Sequence, residues 1–128
     1  MEFAVVAPLF FLLVFGMIEF GRMVMVQQVI TNASREGARV AVLDGAETSD
    51  VLLAVDTYTT AASVEGAEVR ILGPNGETLD PPSSAGYGDP VTVEVSIPFD
   101  QVSWLPSPMF LGGSTMSATT VMRRETVQ

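Results

Sequence analysis

The sequence predicts an α+β fold: a long N-terminal α-helix, apolar and then amphipathic, followed by a short helix and a small antiparallel β-sheet head. Three observations lead to this prediction. An uncharged apolar run near the N-terminus continues with helical periodicity, a glycine follows it before a second amphipathic stretch, and later segments alternate every second residue. We therefore divide the chain into an N-terminal helix, residues 1–44, and a small α+β head domain, residues 45–128.

The apolar part of the long helix covers residues 3–18, which contain neither a charge nor a hydrogen-bonding side chain. At about 1.5 Å per residue this run is about 24 Å long, slightly shorter than the roughly 30 Å hydrocarbon core of a bilayer. Continuation to Val26 makes the segment long enough to cross a membrane. Pro8 lacks the N–H that would bond to Ala4, so we expect a local kink there.

The second part of the long helix is amphipathic, because its apolar residues follow one stripe: Val26, Val29, Ile30, Ala33, Gly37, Val40 and Ala41. Gly45 favours a helix end at about Leu43. A secretory signal peptide would need a basic region before the apolar run and a small-residue cleavage site after it. The sequence has neither, and the helical periodicity continues past Glu19, so we interpret this element as one uninterrupted helix.

Charged residues bracket the apolar run. Glu19 and Arg22 are three positions apart, so the two side chains can pair at an interface. Glu2 has two interpretations. It is either a carboxylate that becomes buried and needs a cation, or a helix N-terminal acid that the dipole favours while it stays in solvent or lipid headgroups.

A second, short helix follows the glycine stop. Thr48 or Ser49 can cap it, and Asp50 lies in its first turn, where an acid is favoured by the helix dipole. The residues that share its predicted buried face are Val51, Leu52, Val55, Thr59 and Ala62.

Three later segments have the period of two that is typical of strands. A strand is predicted over 67–72, followed by a tight turn over 73–76 and a short return over 77–79. Residues 91–97 alternate Val or Ile with Thr, Glu or Ser and form the clearest strand. A last strand is predicted from about Ser114 to Arg124.

The long connection over 98–113 contains an apolar stretch, residues 104–111, where loops are normally polar. Its central part either packs back over the core of the head or contacts another subunit. In the second interpretation the possible contact residues are Trp104, Met109, Phe110 and Leu111.

The composition excludes most catalytic and nucleic-acid-binding functions. Six Lys plus Arg against fifteen Asp plus Glu give a net charge of −9, which disfavours nucleic acid as a partner. The absence of Cys and His removes thiolate nucleophiles, disulfides and the commonest proton carrier. The acidic loop around Asp44, Glu47 and Asp50 lacks the ligand spacing of a calcium-binding loop. We therefore predict a protein that is not an enzyme and that has no cofactor or metal site.

Residues 2–9 (EFAVVAPL), 18–22 (IEFGR) and 35–39 (REGAR), with Gln28 and 31–33 between them, resemble the TadE-like family. Its members are pseudopilins or minor pilins of tight-adherence (Flp-type) pili. Residues 91–99, the proline-rich connection and 117–123 are similar to the closing strands of that family.

The resemblance implies a pilin-like fold and a structural subunit, pilin or pseudopilin, of a type IV or Tad-like extracellular filament that serves adhesion or surface attachment. It also implies residence in the inner membrane, processing by a prepilin peptidase, and transfer by an assembly platform into a filament at the cell surface. The partners would be copies of itself and other pilins or pseudopilins. The predicted assembly residues are Glu2, Phe3, Leu9, Phe10, Phe11, Leu12, Phe15, Glu19 and Arg22.

The acidic residue of the family is expected fifth in the mature chain but stands second here, so the resemblance carries over no cleavage register. It does imply that this acid pairs with the N-terminal amine of an adjacent subunit. Two alternatives stay open. One is a permanently membrane-anchored envelope protein with an exposed β head that never polymerises. The other is a secreted binding head, which would need a concave site that nothing in the sequence specifies.

Overall fold

The computed structural model describes residues 2–43, 45–86, 88–99 and 115–124. Within these ranges the chain forms two α-helices, one short 3-10 helix and three strands. In chain order they are α1 (Glu2–Ala41), α2 (Thr48–Ala61), β1 (Glu68–Leu72), the 3-10 turn Pro82–Ser84, β2 (Pro90–Pro98) and β3 (Thr115–Arg123). This arrangement confirms the predicted α+β, pilin-like fold.

The long helix is continuous from Glu2 to Ala41 and contains Pro8 within its first half. It ends two residues before the predicted end. The backbone N–H groups of Val42 and Leu43 instead donate to Ala38 and Val40 in a closing turn, at 3.2 and 3.0 Å. Gly45 has a φ of 69°, the left-handed conformation that the glycine stop predicts.

Two predictions for α2, its N-cap residue and the extent of its buried face, are wrong. The N-cap is Glu47, whose backbone N–H donates to the Asp50 carboxylate at 3.1 Å. Thr48 does not cap the helix, because its hydroxyl donates to Asp80 at 2.6 Å, and Ser49 lies inside the first turn. Leu52 is exposed, because the buried stripe is the narrow one at intervals of four: Val51, Val55 and Thr59.

The three strands form an antiparallel sheet with β2 in the centre. Both free edges are partly covered. The predicted return over 77–79 forms a single bridge to β1 instead of a strand, and the N–H of Leu79 donates to the Ile71 carbonyl at 2.9 Å. On the other edge, the Gln27 side chain of α1 donates to the Ser117 carbonyl at 3.0 Å. These contacts limit the pairing of the two sheet edges with strands of other molecules.

The core lies between the sheet and the two helices. Every second residue of β2 faces it and is buried: Val91, Val93, Val95 and Ile97. Gly37 of α1 packs closely against both α2 and the sheet, since a Cβ there would lie 2.8 Å from Val55 of α2 and 3.2 Å from Val93 of β2. The opposite face of the sheet is polar, with Arg70 and Glu94 paired across two strands at 3.4 Å. The second half of α1 is thus part of the head's own core.

Candidate assembly surface on the N-terminal helix

The first half of α1 is an apolar surface that no described part of the chain covers. From Glu2 to Ile18 no residue is buried, and the exposed fraction of its exposed large apolar side chains runs from 81% at Phe3 to 38% at Phe15. The predicted assembly residues Leu9, Phe10, Phe11 and Leu12 all lie on this exposed part. In the described ranges α1 is the one helix long and apolar enough to cross a membrane. A contiguous apolar patch of this size marks a protein or membrane contact.

The buried part of α1 begins abruptly at Glu19 and Arg22, which are only 1% and 4% exposed. The Arg22 guanidinium donates to the Ser63 carbonyl at the C-terminal end of α2, at 3.2 Å. A cation at this end of a helix is favoured by the helix dipole. The hydrogen bond of Arg22 therefore connects α1 to the end of α2. It also directs the charge of Arg22 away from the exposed apolar surface.

Sequence reasoning missed this contact of Arg22 with Ser63. The two residues are 41 positions apart, and no local pattern connects an arginine in one helix with a carbonyl at the end of another. The predicted pairing of Glu19 with Arg22 stays a prediction.

Beyond Glu19 one side of α1 stays exposed, and we call it the outer face: Phe20, Gly21, Val24, Met25, Gln28, Arg35 and Arg39. At about 100° per residue these positions lie opposite the buried stripe. The outer face is apolar next to the membrane-spanning half and becomes polar toward the end of the helix. Arg39 pairs with Glu36 at 2.8 Å, whereas Arg35 is exposed and has no hydrogen bond or ion pair within the described residues.

A groove of about 620 Å³ lies between α1 and the start of β3. Its lining includes Met23, Val24, Phe99 and Met116, with Gln28 and Arg35 at its polar rim. The residues predicted to contact another subunit in the apolar connection lie outside the described residues: Trp104, Met109, Phe110 and Leu111. Among the described residues no group of three His, Cys, Asp or Glu side chains could hold a metal ion.

A long apolar-then-amphipathic helix packed on a small antiparallel sheet is a pilin-like arrangement. The family model described as TadE-like protein matches residues 1–39, which is nearly all of α1. This match confirms the resemblance found in the sequence and points to a pilin-like protein associated with a tight-adherence pilus. No curated protein and no solved structure matches the chain.

Proposed function

We propose that this protein is a structural, non-enzymatic pilin or pseudopilin subunit of a type IV or Tad-like extracellular filament. Before assembly α1 anchors it in the inner membrane. During assembly the same helix leaves the lipid and packs against the α1 helices of neighbouring subunits, while the head faces outward. The observation that carries this proposal is the uninterrupted exposed apolar surface of α1 over residues 3–18 beside a folded polar head.

One surface can serve both states because lipid and a helix bundle are both apolar environments. Burial of apolar area stabilises either state by about 25 cal/mol per Å², and neither state leaves the phenylalanine side chains in water. What favours assembly over a permanent anchor is the TadE-like match, which covers this helix and not the sheet. The proposed partners are copies of this chain, other pilins or pseudopilins, a prepilin peptidase and an assembly platform. Adhesion or surface attachment is the proposed role of the filament.

The experiment compares the filament fraction sheared from cells with the membrane fraction. The double variant Leu12→Asp/Phe15→Asp places two charges on the apolar surface, and we expect it to abolish the sheared filaments. Leu53→Asp is the matched control, because Leu53 is a 65% exposed leucine of the head. This control should assemble normally.

The fraction in which the wild-type chain is recovered distinguishes a filament subunit from a permanent membrane anchor. A filament subunit accumulates in the sheared fraction, whereas a permanent anchor is recovered with membranes only. Normal filaments from the double aspartate variant would refute helix packing as the basis of assembly.

A further inference from the structure

The two sides of α1 change from apolar to polar at different heights along the helix. On the side that packs against the head, the first polar residue after the apolar run is Glu19, which is buried. On the outer face, exposed apolar side chains continue at Phe20, Val24 and Met25, and the first polar residue is Gln28. The apolar surface therefore extends about 9 Å further along the axis on the outer face than on the side of the head.

The two sides also differ in length relative to a bilayer. On the side of the head the apolar run covers residues 3–18, about 24 Å, which is shorter than the roughly 30 Å hydrocarbon core. On the outer face it covers residues 3–25, about 34 Å, which is longer than the core. An upright helix would leave Val24 and Met25 in water or pull the base of the head into lipid. A helix that leans toward its outer face brings both boundaries to one membrane surface.

The outer face becomes cationic just beyond its apolar part. Between Ile18 and Arg35 the only charged residues of α1 are Glu19 and Arg22, and both are buried. Arg35 is exposed on the outer face and has no hydrogen bond or ion pair within the described residues. The headgroup layer of a bilayer is about 5–7 Å thick on each side. If Met25 marks the edge of the hydrocarbon core, an upright helix holds Arg35 about 15 Å above that edge, whereas a leaning helix lowers its long side chain to the phosphates.

We propose that, before assembly, the outer face of α1 rests on the surface of the lipid bilayer, with Phe20, Val24 and Met25 among the acyl chains and Arg35 on lipid phosphate groups. This inference rests on the membrane stage of the proposed function. Because α1 is neutral and the net charge of −9 lies after it, anionic lipid repels the head while it attracts the arginine of the outer face. Both effects turn the head away from the membrane.

This position keeps the outer face covered while the subunit is in the membrane. Phe20, Val24 and Met25 would otherwise form an apolar patch in water beside the head, and such patches favour contacts between proteins. The lipid therefore protects this part of the subunit from premature association. The outer face becomes available to other subunits only when α1 leaves the bilayer.

Fluorescence quenching by lipid tests the position of the outer face. The chain has no cysteine, so single-cysteine variants of the full chain carry one thiol-reactive fluorophore each. The vesicles contain phosphatidylethanolamine and phosphatidylglycerol, with a nitroxide quencher on some acyl chains. The label at Val24→Cys should be quenched nearly as much as the label at Leu12→Cys. Val121→Cys is the matched control, because Val121 is 57% exposed, Val24 is 60% exposed, and Val121 lies on the face of the sheet opposite the core. Its label should stay unquenched.

Removal of one charge tests the contact of Arg35 with phosphate. The label is placed at Gln28→Cys, and the nitroxide is moved to the lipid headgroup. In the Arg35→Gln background the ratio of quenched to unquenched label should fall about fivefold, as expected for loss of one arginine near an anionic surface. Arg70→Gln is the matched control, since it changes the net charge equally on the polar face of the sheet. It should leave the ratio unchanged.

Three results would overturn the inference. The first is a label at Val24→Cys that is quenched no more than the label at Val121→Cys, while the label at Leu12→Cys is quenched. The second is an equal effect of Arg35→Gln and Arg70→Gln. The third is quenching at Val24→Cys that falls as the ratio of protein to lipid rises, which would assign the outer face to a second copy of the chain. All three leave membrane anchoring intact, whereas absence of quenching at Leu12→Cys would contradict the membrane stage of the proposed function itself.

Discussion

Gly37 determines how closely α1 approaches the rest of the head. A methyl group at this position would lie 2.8 Å from Val55 and 3.2 Å from Val93, and both neighbours are β-branched side chains held in the core. Because Val55 and Val93 belong to two different elements, one shift of α1 cannot relieve both contacts cheaply. The glycine is therefore required by packing and not by backbone conformation.

We expect Gly37→Ala to lower the free energy of unfolding of the head by about 1–3 kcal/mol. Gly21→Ala is the control, because a Cβ at Gly21 meets nothing within 4 Å and alanine is favoured over glycine in a helix by about 1 kcal/mol. Thermal unfolding of the full chain in detergent, followed by circular dichroism, checks both. Equal melting temperatures for Gly37→Ala and the wild type would show that the core accepts the methyl group.

Arg22 contributes to stability through its contact with the end of α2. Arg22→Met keeps an unbranched side chain but loses the charged hydrogen bond to the Ser63 carbonyl, so we expect a loss of about 1.5–3 kcal/mol. Arg35→Met removes an exposed guanidinium without a described partner and should change stability by less than about 0.5 kcal/mol. Chemical denaturation of the two variants measures the difference. Equal stabilities would mean that Arg22 does not hold the two helices together.

At the scale of the elements, local periodicity predicted the order of helices and strands. The alternation of Val91, Val93, Val95 and Ile97 identified β2 and its buried face, because one face of a strand repeats every second residue. The same kind of argument identified most of the stripe of α1 that is buried, and Gly45 predicted the end of that helix to within two residues.

What the sequence could not predict depends on contacts between elements that are far apart in the chain. Leu52 has the same hydrophobicity as a core residue, but the packing of α1 against α2 decides that Val51 and Val55 are buried instead. The coverage of the two sheet edges, by Gln27 and by Leu79, is likewise a tertiary contact. For the candidate site, the exposed apolar residues were predictable, whereas the contact of Arg22 with the Ser63 carbonyl, 41 positions away, was not.

The charges of the whole molecule are divided between its two parts. α1 carries three glutamates and three arginines and is neutral, so the net charge of −9 lies entirely after it. In a filament the α1 helices attract through apolar burial, while the heads repel through their acidic side chains. Assembly of the proposed filament is therefore a balance between attraction of the α1 helices and repulsion of the heads.

Because the acidic heads repel one another, we expect added salt to stabilise the proposed filament by screening this repulsion. Between about 0.01 M and about 0.1 M salt the Debye length falls from about 30 Å to about 10 Å, which screens repulsion between exposed heads. Sedimentation of purified filaments across this range should show more free subunits at low salt. Dissociation by added salt would instead indicate that exposed attractive ion pairs dominate the contacts between subunits.

In the proposed filament, residues 3–18 of α1 lie against the same helix of other copies after the protein has left the membrane. Photo-crosslinking from Leu12 detects this contact, with a photoreactive amino acid in place of that residue and the sheared fraction as the sample. We expect a ladder of covalent multimers of this chain in the sheared filaments. A chain that stays in the membrane fraction and gives only monomers after irradiation would show that α1 does not pack against its copies.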